Sequence, residues 1–364
     1  MRPVTYPLNI LSFGAGAVGT YIGGSLALAG HQVVFIERPE VAEDLKTRGL
    51  HLDLGLVVQR KGESFMANVD YSRVEIRDTV LFTSSLDEAL AHGPFDVALF
   101  ALKSFDTSTA LEGMQPHSDR LPPILCLQNG VDNEPAIAAA LGSDKVIYGT
   151  VTTAIGRRGA GDIVVEKLRG MGVADGHPLS RTVAAVLTSA HLNARSYPRA
   201  ADMKWSKMLT NLLANASSAI LDMTPGEIFA NPGLFEVEMR MLREALAVMQ
   251  ALGVAVVDLP GTPVRALAWG AKVPAALARP LMVKALGGGR GGKMPSFHID
   301  LHSGRKVSEV DYLNGAVVRA GEKAGVPTPV NQSLTETLLA LTHGELPVEA
   351  YARQPQQFLT LLSA

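Results

Sequence analysis

The chain has 364 residues, 47% of them hydrophobic, and a formal net charge of −2. That length can bury two ordinary cores, and a near-neutral balance without runs of one sign excludes the basic footprint of a nucleic-acid binder. The single cysteine, Cys126, excludes an internal disulfide, and no Cys/His cluster has zinc-site spacing, so a reducing cytoplasm is the expected compartment.

The first element is the most informative. Ile10 to Arg38 reads as an apolar strand, a Gly-x-Gly-x-x-Gly turn, a helix of small residues and a second strand, which is half of a dinucleotide-binding unit. Gly14 permits the tight turn, Gly16 lets a pyrophosphate approach bare backbone at the helix N-terminus, and Gly19 lets that helix lie close on the sheet. Glu37 and Arg38 end the second strand about twenty residues on, where ribose recognition is expected. Leu8 to Gly30 carries no charge and has a rival reading as a signal peptide or membrane span. The motif glycines and the strand at Val33–Ile36 argue against it, and no membrane association is expected.

Strands and helices then alternate: Val97–Leu102, Ser108–Met114, Ile124–Leu127, Asn133–Leu141 and Val146–Thr153. Such alternation predicts a parallel sheet covered on both faces. Cys126, inside an apolar run, reads as a buried structural thiol. Gly49–Ser64 and Val74–Ser85 read as shorter strands, Gly156–Gly170 as an antiparallel edge hairpin, and Ser180–Ala190 and Ala194–Tyr197 as the closing helix and strand. From about Ala200 strand-like runs disappear. Helices are predicted at Ala201–Ile220, Leu234–Leu252, Val264–Gly270, Ala275–Leu286, Ser308–Ala324 and Gln332–Leu341, with a glycine-rich connector at Gly287–Gly292. The expected division is an α/β dinucleotide-binding domain over 1–198 and an all-α domain over 199–364, whose long apolar helices could support a homodimer.

In open α/β sheets ligands bind beyond the carboxyl ends of the strands, which singles out Lys103 and the Asn129–Gly130 pair. Their plain alternatives are a solvated loop lysine and an Asn-Gly turn. In the second domain Lys207, Asn211 and Asn215 recur at i, i+4 and i+8 and are predicted to share one helix face. Asparagines compete with helical backbone, so a lysine with two amides on one stripe reads as a polar site better than as an ordinary solvent face. Ser296, Asp300 and Glu309 form a further constellation, although Ser308 could cap a helix whose first turn merely uses Glu309. His298 and His302 have the spacing of a metal pair, but no third ligand is evident, so no metal is expected.

Taken together these elements closely resemble the ketopantoate reductase family over nearly the whole chain. The landmarks appear in order: the GAGAVG turn (Gly14, Ala15, Gly16, Ala17, Val18, Gly19), Lys103, the LQNG element at Leu127–Gly130, Trp205 and Lys207 with Asn211 and Asn215, and the Ser296…Asp300…Glu309 segment leading into YLNGAVV and GVPTPVN. The resemblance implies a Rossmann-type domain followed by an all-α domain like the C-terminal domain of 6-phosphogluconate dehydrogenase. It also implies NADPH-dependent reduction of a small 2-oxo acid to a 2-hydroxy acid, in the best-known case 2-dehydropantoate to pantoate. By the same resemblance Lys207 is the general acid and Glu309 lies near the reacting centre. The GAGAVG turn, Arg38 and Lys103 hold NADP(H), Asn129 touches cofactor and substrate, and Asn211, Asn215 and Ser296 bind substrate.

Departures from the family pattern bear on the substrate. The Asp300 to Glu309 spacing looks one residue longer, Ala216–Ser218 follows Asn215 where a proline-containing run is common, Thr224–Pro225 replaces a position where an asparagine can contact substrate, and the segment Leu259–Gly292 is extended. Cofactor choice is split as well. Glu37 could bind the ribose diol of NAD(H), whereas Arg38 matches the arginine for a 2′-phosphate. A carboxylate about 4 Å from a phosphate costs about 4 kcal/mol per unit charge at an effective dielectric of about 20, so Glu37 must turn away when NADPH is bound. The alternatives are a relative acting on another 2-oxo or 2-hydroxy acid and a non-catalytic nucleotide sensor, which would need neither Lys207 nor Glu309.

Overall fold

The structure, a computed structural model, describes residues 7–54, 74–275, 277–280, 283 and 292–362. It divides into two units that do not follow a single cut. The first is Met1–Gln128, Asn133–Met203 and Leu259–Thr262; the second is Asn129–Asp132, Lys204–Asp258 and Pro263–Ala364.

The first unit contains β1 (Asn9–Phe13), α1 (Ala17–Leu28), β2 (Gln32–Ile36), α2 (Pro39–Arg48), β3 (Leu50–Asp53), β4 (Val74–Ile76), β5 (Val80–Thr83), α3 (Leu86–Leu90), β6 (Val97–Phe100), α4 (Thr107–Met114), β7 (Ile124–Cys126), α5 (Asn133–Leu141), β8 (Val146–Val151), β9 (Ala154–Gly159), β10 (Asp162–Lys167), β11 (Met171–Ala174), α6 (Ser180–Ser189) and β12 (Ala194–Tyr197). Eight strands form one sheet in the order β12-β11-β8-β7-β6-β1-β2-β5. Its strands bury both faces, as their continuous apolar runs demand. Ile10, Val33, Phe35, Val97, Leu99 and Leu125 enter one core, and their neighbours Leu11, Val34, Ala98, Phe100, Ile124 and Cys126 enter the other.

The sheet is not parallel throughout. β11 runs antiparallel to β8, and β12 follows β11. A parallel neighbour needs a long crossover, usually a helix, and the chain between β8 and β11 carries a hairpin instead, so it returns in the opposite direction. That hairpin, β9 with β10, is antiparallel as expected but does not edge the main sheet. It pairs through β10 with β3 in a second sheet of order β4-β3-β10-β9. Of the strand expected at Gly49–Ser64, Leu50–Asp53 is observed and residues from 55 onward lie outside the described ones.

α1 lies between the two sheets. A Cβ on Gly23 would meet the Phe35 ring at 2.6 Å, and one on Gly24 would meet Leu52 at 2.8 Å. Every residue from Gly19 to Ala27 is buried. The charge-free run therefore reflects a helix buried on opposite sides, not one meant for lipid. Among the described residues no helix is long and apolar enough to cross a membrane.

The second unit is helical: α7 (Ala200–Leu212, entering from Lys204), α8 (Asn215–Leu221), α9 (Pro225–Ala230), α10 (Pro232–Ala251), α11 (Val264–Lys272), α12 (Ser296–His302), α13 (Val310–Ala324), α14 (Pro329–His343) and α15 (Pro355–Leu361). Much of the helix expected at Ala275–Leu286, and Gly287 to Gly291 of the connector, lie outside the described residues. The single helix expected over Ala201–Ile220 is two. It breaks at Ala214, whose φ is 52°. The cause is Glu238 of α10, 1% exposed, whose carboxylate accepts the Ala214 N–H at 2.7 Å and the Ser217 hydroxyl. Asn215, Ser217 and Ser218 are weak helix formers, which lowers the cost of the break.

Two family landmarks prove to be scaffold. Asn314 of YLNGAVV and Asn331 of GVPTPVN are fully buried, and the Asn314 amide donates to Asn331 Oδ1 at 3.1 Å. Asn331 in turn donates to the Met241 carbonyl and to Glu244, which also accepts the Val330 and Asn331 N–H groups at the start of α14. The Asn331 amide is engaged through both its oxygen and its nitrogen, whereas Asn314 Oδ1 is buried without a hydrogen-bond partner among the described residues.

Candidate functional site

At the carboxyl edge of the first unit's sheet, β1 lies between β2 and β6. The strand order reverses between β1 and β6, which is where open α/β sheets bind ligands. The structure brings the GAGAVG turn, Glu37 and Arg38, and Lys103 to this edge. Gly14 has φ +94°, where a Cβ would also lie 3.1 Å from Leu102 Cδ2, and a Cβ on Gly19 would fall 2.0 Å from the Gly14 carbonyl oxygen. Gly16, the N-cap of α1, faces open space: a Cβ there would meet nothing within 4 Å. That gap, with the N-terminal N–H groups of Ala17, Val18 and Gly19, is a cradle of the kind that takes a pyrophosphate.

Ala15 behaves differently. It is buried, its N–H donates to Glu37 Oε1 at 2.6 Å, and its carbonyl accepts from Gly161 N and Thr20 Oγ1. Glu37 Oε2 accepts the Arg38 N–H at 3.2 Å. The carboxylate is thus turned onto the glycine turn. Lys103 lies in the loop after β6, just before the turn at Ser104–Asp106, and its carbonyl accepts from Gln128 Nε2, which also donates to Thr107 Oγ1. Gln128, overlooked within LQNG, is 4% exposed and braces that loop.

In the second unit every residue from Lys204 to Asn215 is buried except Lys207 and Asn211. These two stand one turn apart on α7, so from Lys204 onward the helix opens to solvent only along that stripe. Asn211 Nδ2 donates to Asn129 Oδ1 at 2.9 Å. Asn215 does not continue the stripe on the same helix; it begins α8, is buried, donates to the Asn211 carbonyl at 3.2 Å and accepts the Phe297 N–H at 3.2 Å. It therefore ties the end of α7 to the start of α12, where Ser296 is exposed as the first residue.

Glu309 is 5% exposed and occupies the N-cap position of α13, rather than its first turn. Ser308 supplies the hydroxyl that accepts the Val310 N–H, and the Glu309 carboxylate makes no capping bond. Asp300 is buried against Arg305 at 3.4 Å. Arg319 of α13 was not singled out in the sequence. It donates to Asp132 at 2.9 Å and to Asp311 at 2.8 Å, so it anchors the Asn129–Asp132 segment to the helix that Glu309 begins. Burial alone would lower its pKa, but the hydrogen bonds and charges of the two carboxylates outweigh burial and raise it. The histidine pair for which the sequence offered no third ligand candidate has a carboxylate beside it: Asp222 Oδ1 lies 2.8 Å from His298 Nε2.

Two family models match the chain, ketopantoate reductase PanE/ApbA over residues 10–175 and its C-terminal model over residues 199–342. The chain belongs to the ketopantoate reductase family. It is 26% identical to the 2-dehydropantoate 2-reductase of Archaeoglobus fulgidus over 91% of this chain and 97% of that protein. It is likewise 26% identical to that of Vibrio cholerae over 92% and 98%. The PanE/ApbA family ketopantoate reductase of Ralstonia eutropha JMP134 superposes with a TM-score of 0.74 at 26% identity, covering 93% of this chain and 99% of that one. A D-mandelate dehydrogenase solved with NADH and anilino(oxo)acetate shares the fold, at a TM-score of 0.71 and 21% identity over 93% and 99%. The ketopantoate reductases are oxidoreductases acting on CH–OH donors, with NADP as the family norm.

Proposed function

We propose that this chain reduces a 2-oxo acid to the 2-hydroxy acid, with 2-dehydropantoate to pantoate as the reference reaction, NADPH as reductant and Lys207 as general acid. The observation that carries this reading is the stripe on α7, where Lys207 and Asn211 alone reach solvent from an otherwise buried run. The open cradle at Gly16 fits a dinucleotide pyrophosphate. When bound, the dinucleotide supplies the hydride. The Lys207 ammonium polarises the substrate carbonyl and passes a proton to the oxygen as negative charge develops there. Asn211, held by Asn129, orients the substrate carboxylate, and the exposed Ser296 hydroxyl bonds a substrate oxygen. Asn215, with its amide oxygen and nitrogen both engaged, acts by positioning Asn211 and Ser296. Glu309, buried beside Ser308, contacts the ligand near the reacting carbon.

A second reading rests on Glu37. Its carboxylate lies on the glycine turn at Ala15, where it could accept a ribose diol. A relative using NAD(H) on a different 2-oxo acid accommodates this and the altered Asp300–Glu309 spacing. The experiment is NADPH and NADH oxidation with ketopantoate beside a panel of 2-oxo acids, repeated with Lys207→Ala. General acid catalysis contributes roughly 10²–10⁴-fold, so kcat should fall by about that factor while the Kd for NADPH stays within about twofold. Equal loss of cofactor binding sinks the acid assignment, and turnover only of another acid selects the second reading.

A further inference from the structure

We propose that Asp222, His298 and His302 form a binding site for a zinc-class divalent cation. The site is independent of the reductase reading and belongs wholly to the second unit. One ligand atom from each residue lies within 4.8 Å of the others. His298 and His302 are a helical i, i+4 pair on α12, their rings stacked at 4.0 Å between centroids, which aims both imidazoles the same way. Asp222 closes the set from another element. It ends α8 in the left-handed region, with φ 49°, and that bend directs its carboxylate to His298 Nε2 at 2.8 Å.

Two imidazole nitrogens and one carboxylate oxygen are the three-ligand set that zinc takes when its fourth position holds water. Zn–N and Zn–O bonds of about 2.0–2.2 Å at tetrahedral angles put neighbouring ligand atoms about 3.4 Å apart. The His298–Asp222 pair must therefore open by roughly 0.6 Å, within reach of a side-chain rotation at a half-exposed carboxylate. Glu349 also places negative charge near His302, which favours a cation. Copper(II), at the top of the first-row affinity order, would bind more tightly still, whereas magnesium, which prefers oxygen, would not compete.

The cation would act as a staple. Asn215 Oδ1 already holds the start of α12 through Phe297 N–H, and the metal would join the C-terminal end of α8 to α12 along its length, from His298 to His302. α8 is seven residues long, so the staple lies about 10 Å from Asn215 at 1.5 Å per residue.

The test is equilibrium dialysis of chelator-treated protein against zinc chloride with metal analysis, alongside thermal melts and the absorption spectrum with Co²⁺. One equivalent should bind, Tm should rise with zinc and fall back with chelator, and Co²⁺ should give visible bands of low-symmetry coordination. His302→Ala, on an exposed residue, and Asp222→Asn should each weaken binding at least tenfold with unchanged circular dichroism. His117→Ala and His343→Ala, whose rings also neighbour carboxylates, should bind as the parent does. Zinc that fails to bind, or that binds equally to His302→Ala and Asp222→Asn, overturns the site and leaves the 2.8 Å contact as a hydrogen bond only. None of these readouts depends on reductase turnover.

Discussion

Asn211 Nδ2 donates to Asn129 Oδ1 at 2.9 Å across 82 positions of sequence. The bond fixes the orientation of the two amides: Asn129 accepts through its oxygen, and Asn211 keeps its carbonyl oxygen and one further N–H. Both residues reach solvent, so the pair contributes little to stability and its value is orientation. Asn211→Ala should lower kcat/KM by about 5- to 30-fold, or about 1–2 kcal/mol, with Tm nearly unchanged. Asn129→Ala should do the same, and the double variant should lose less than the sum. Full additivity in the cycle would show that the two amides act separately.

In the proposed reading, Arg38 and Glu37 compete over the adenosine ribose. Glu37 Oε1 accepts the Ala15 N–H on the glycine turn, so on that reading its charge would oppose a 2′-phosphate that Arg38 would attract. Arg38→Ala should cut the NADPH to NADH preference, measured as the ratio of kcat/KM values, by at least tenfold. Glu37→Gln should raise that ratio, since the amide keeps an acceptor for Ala15 and removes the charge. A ratio that ignores both substitutions would place cofactor discrimination elsewhere.

The amino-acid pattern made the first unit legible because each device there is local: apolar strands, a glycine turn at motif spacing, a helix of small residues. What it could not show were consequences of distant partners. The break at Ala214 depends on Glu238, twenty-four residues away, and the carboxylate beside His298 comes from Asp222, seventy-six residues away. Arg319 has the pattern of an ordinary helix charge, and its partner Asp132 lies 187 positions away. The reversed strands β11 and β12 were hidden for a similar reason, since periodicity reports burial and not direction. Asn314 and Asn331 drew notice as motif residues, yet their burial shows that a recurring polar residue can serve the core.

His31 gives the first unit a pH dependence. It is 8% exposed, and its Nδ1 accepts the Leu8 N–H at 3.0 Å, a bond open only to the neutral ring. Burial lowers its pKa below 6.5, and the charge of Asp96 opposes this only in part. The unfolded chain therefore binds the proton first as pH falls. The stability this group contributes is present above about 6.5 and declines as pH drops from there toward the folded value, by at most about 1.4 kcal/mol per pH unit. Urea titrations between pH 7.5 and 5 should show a falling midpoint in the parent and a flatter trend in His31→Asn, which keeps an acceptor near Nδ1. Identical slopes would remove His31 from the account.

Glu238 carries the largest predicted cost. Its buried carboxylate serves the Ala214 N–H and the Ser217 hydroxyl, and truncation leaves both without their acceptor, each worth about 1–3 kcal/mol. Glu238→Ala should destabilise the protein by about 2–4 kcal/mol in urea unfolding with an unchanged m-value. Because those bonds hold the left-handed turn that precedes Asn215, the surviving folded enzyme should also show a raised KM for the oxo acid while binding the dinucleotide normally. Glu238→Gln should lie between, since its amide keeps one acceptor oxygen but turns a second donor toward donors. A loss below about 0.5 kcal/mol in Glu238→Ala would mean that the α7–α8 break is set by the chain itself and needs no carboxylate to hold it.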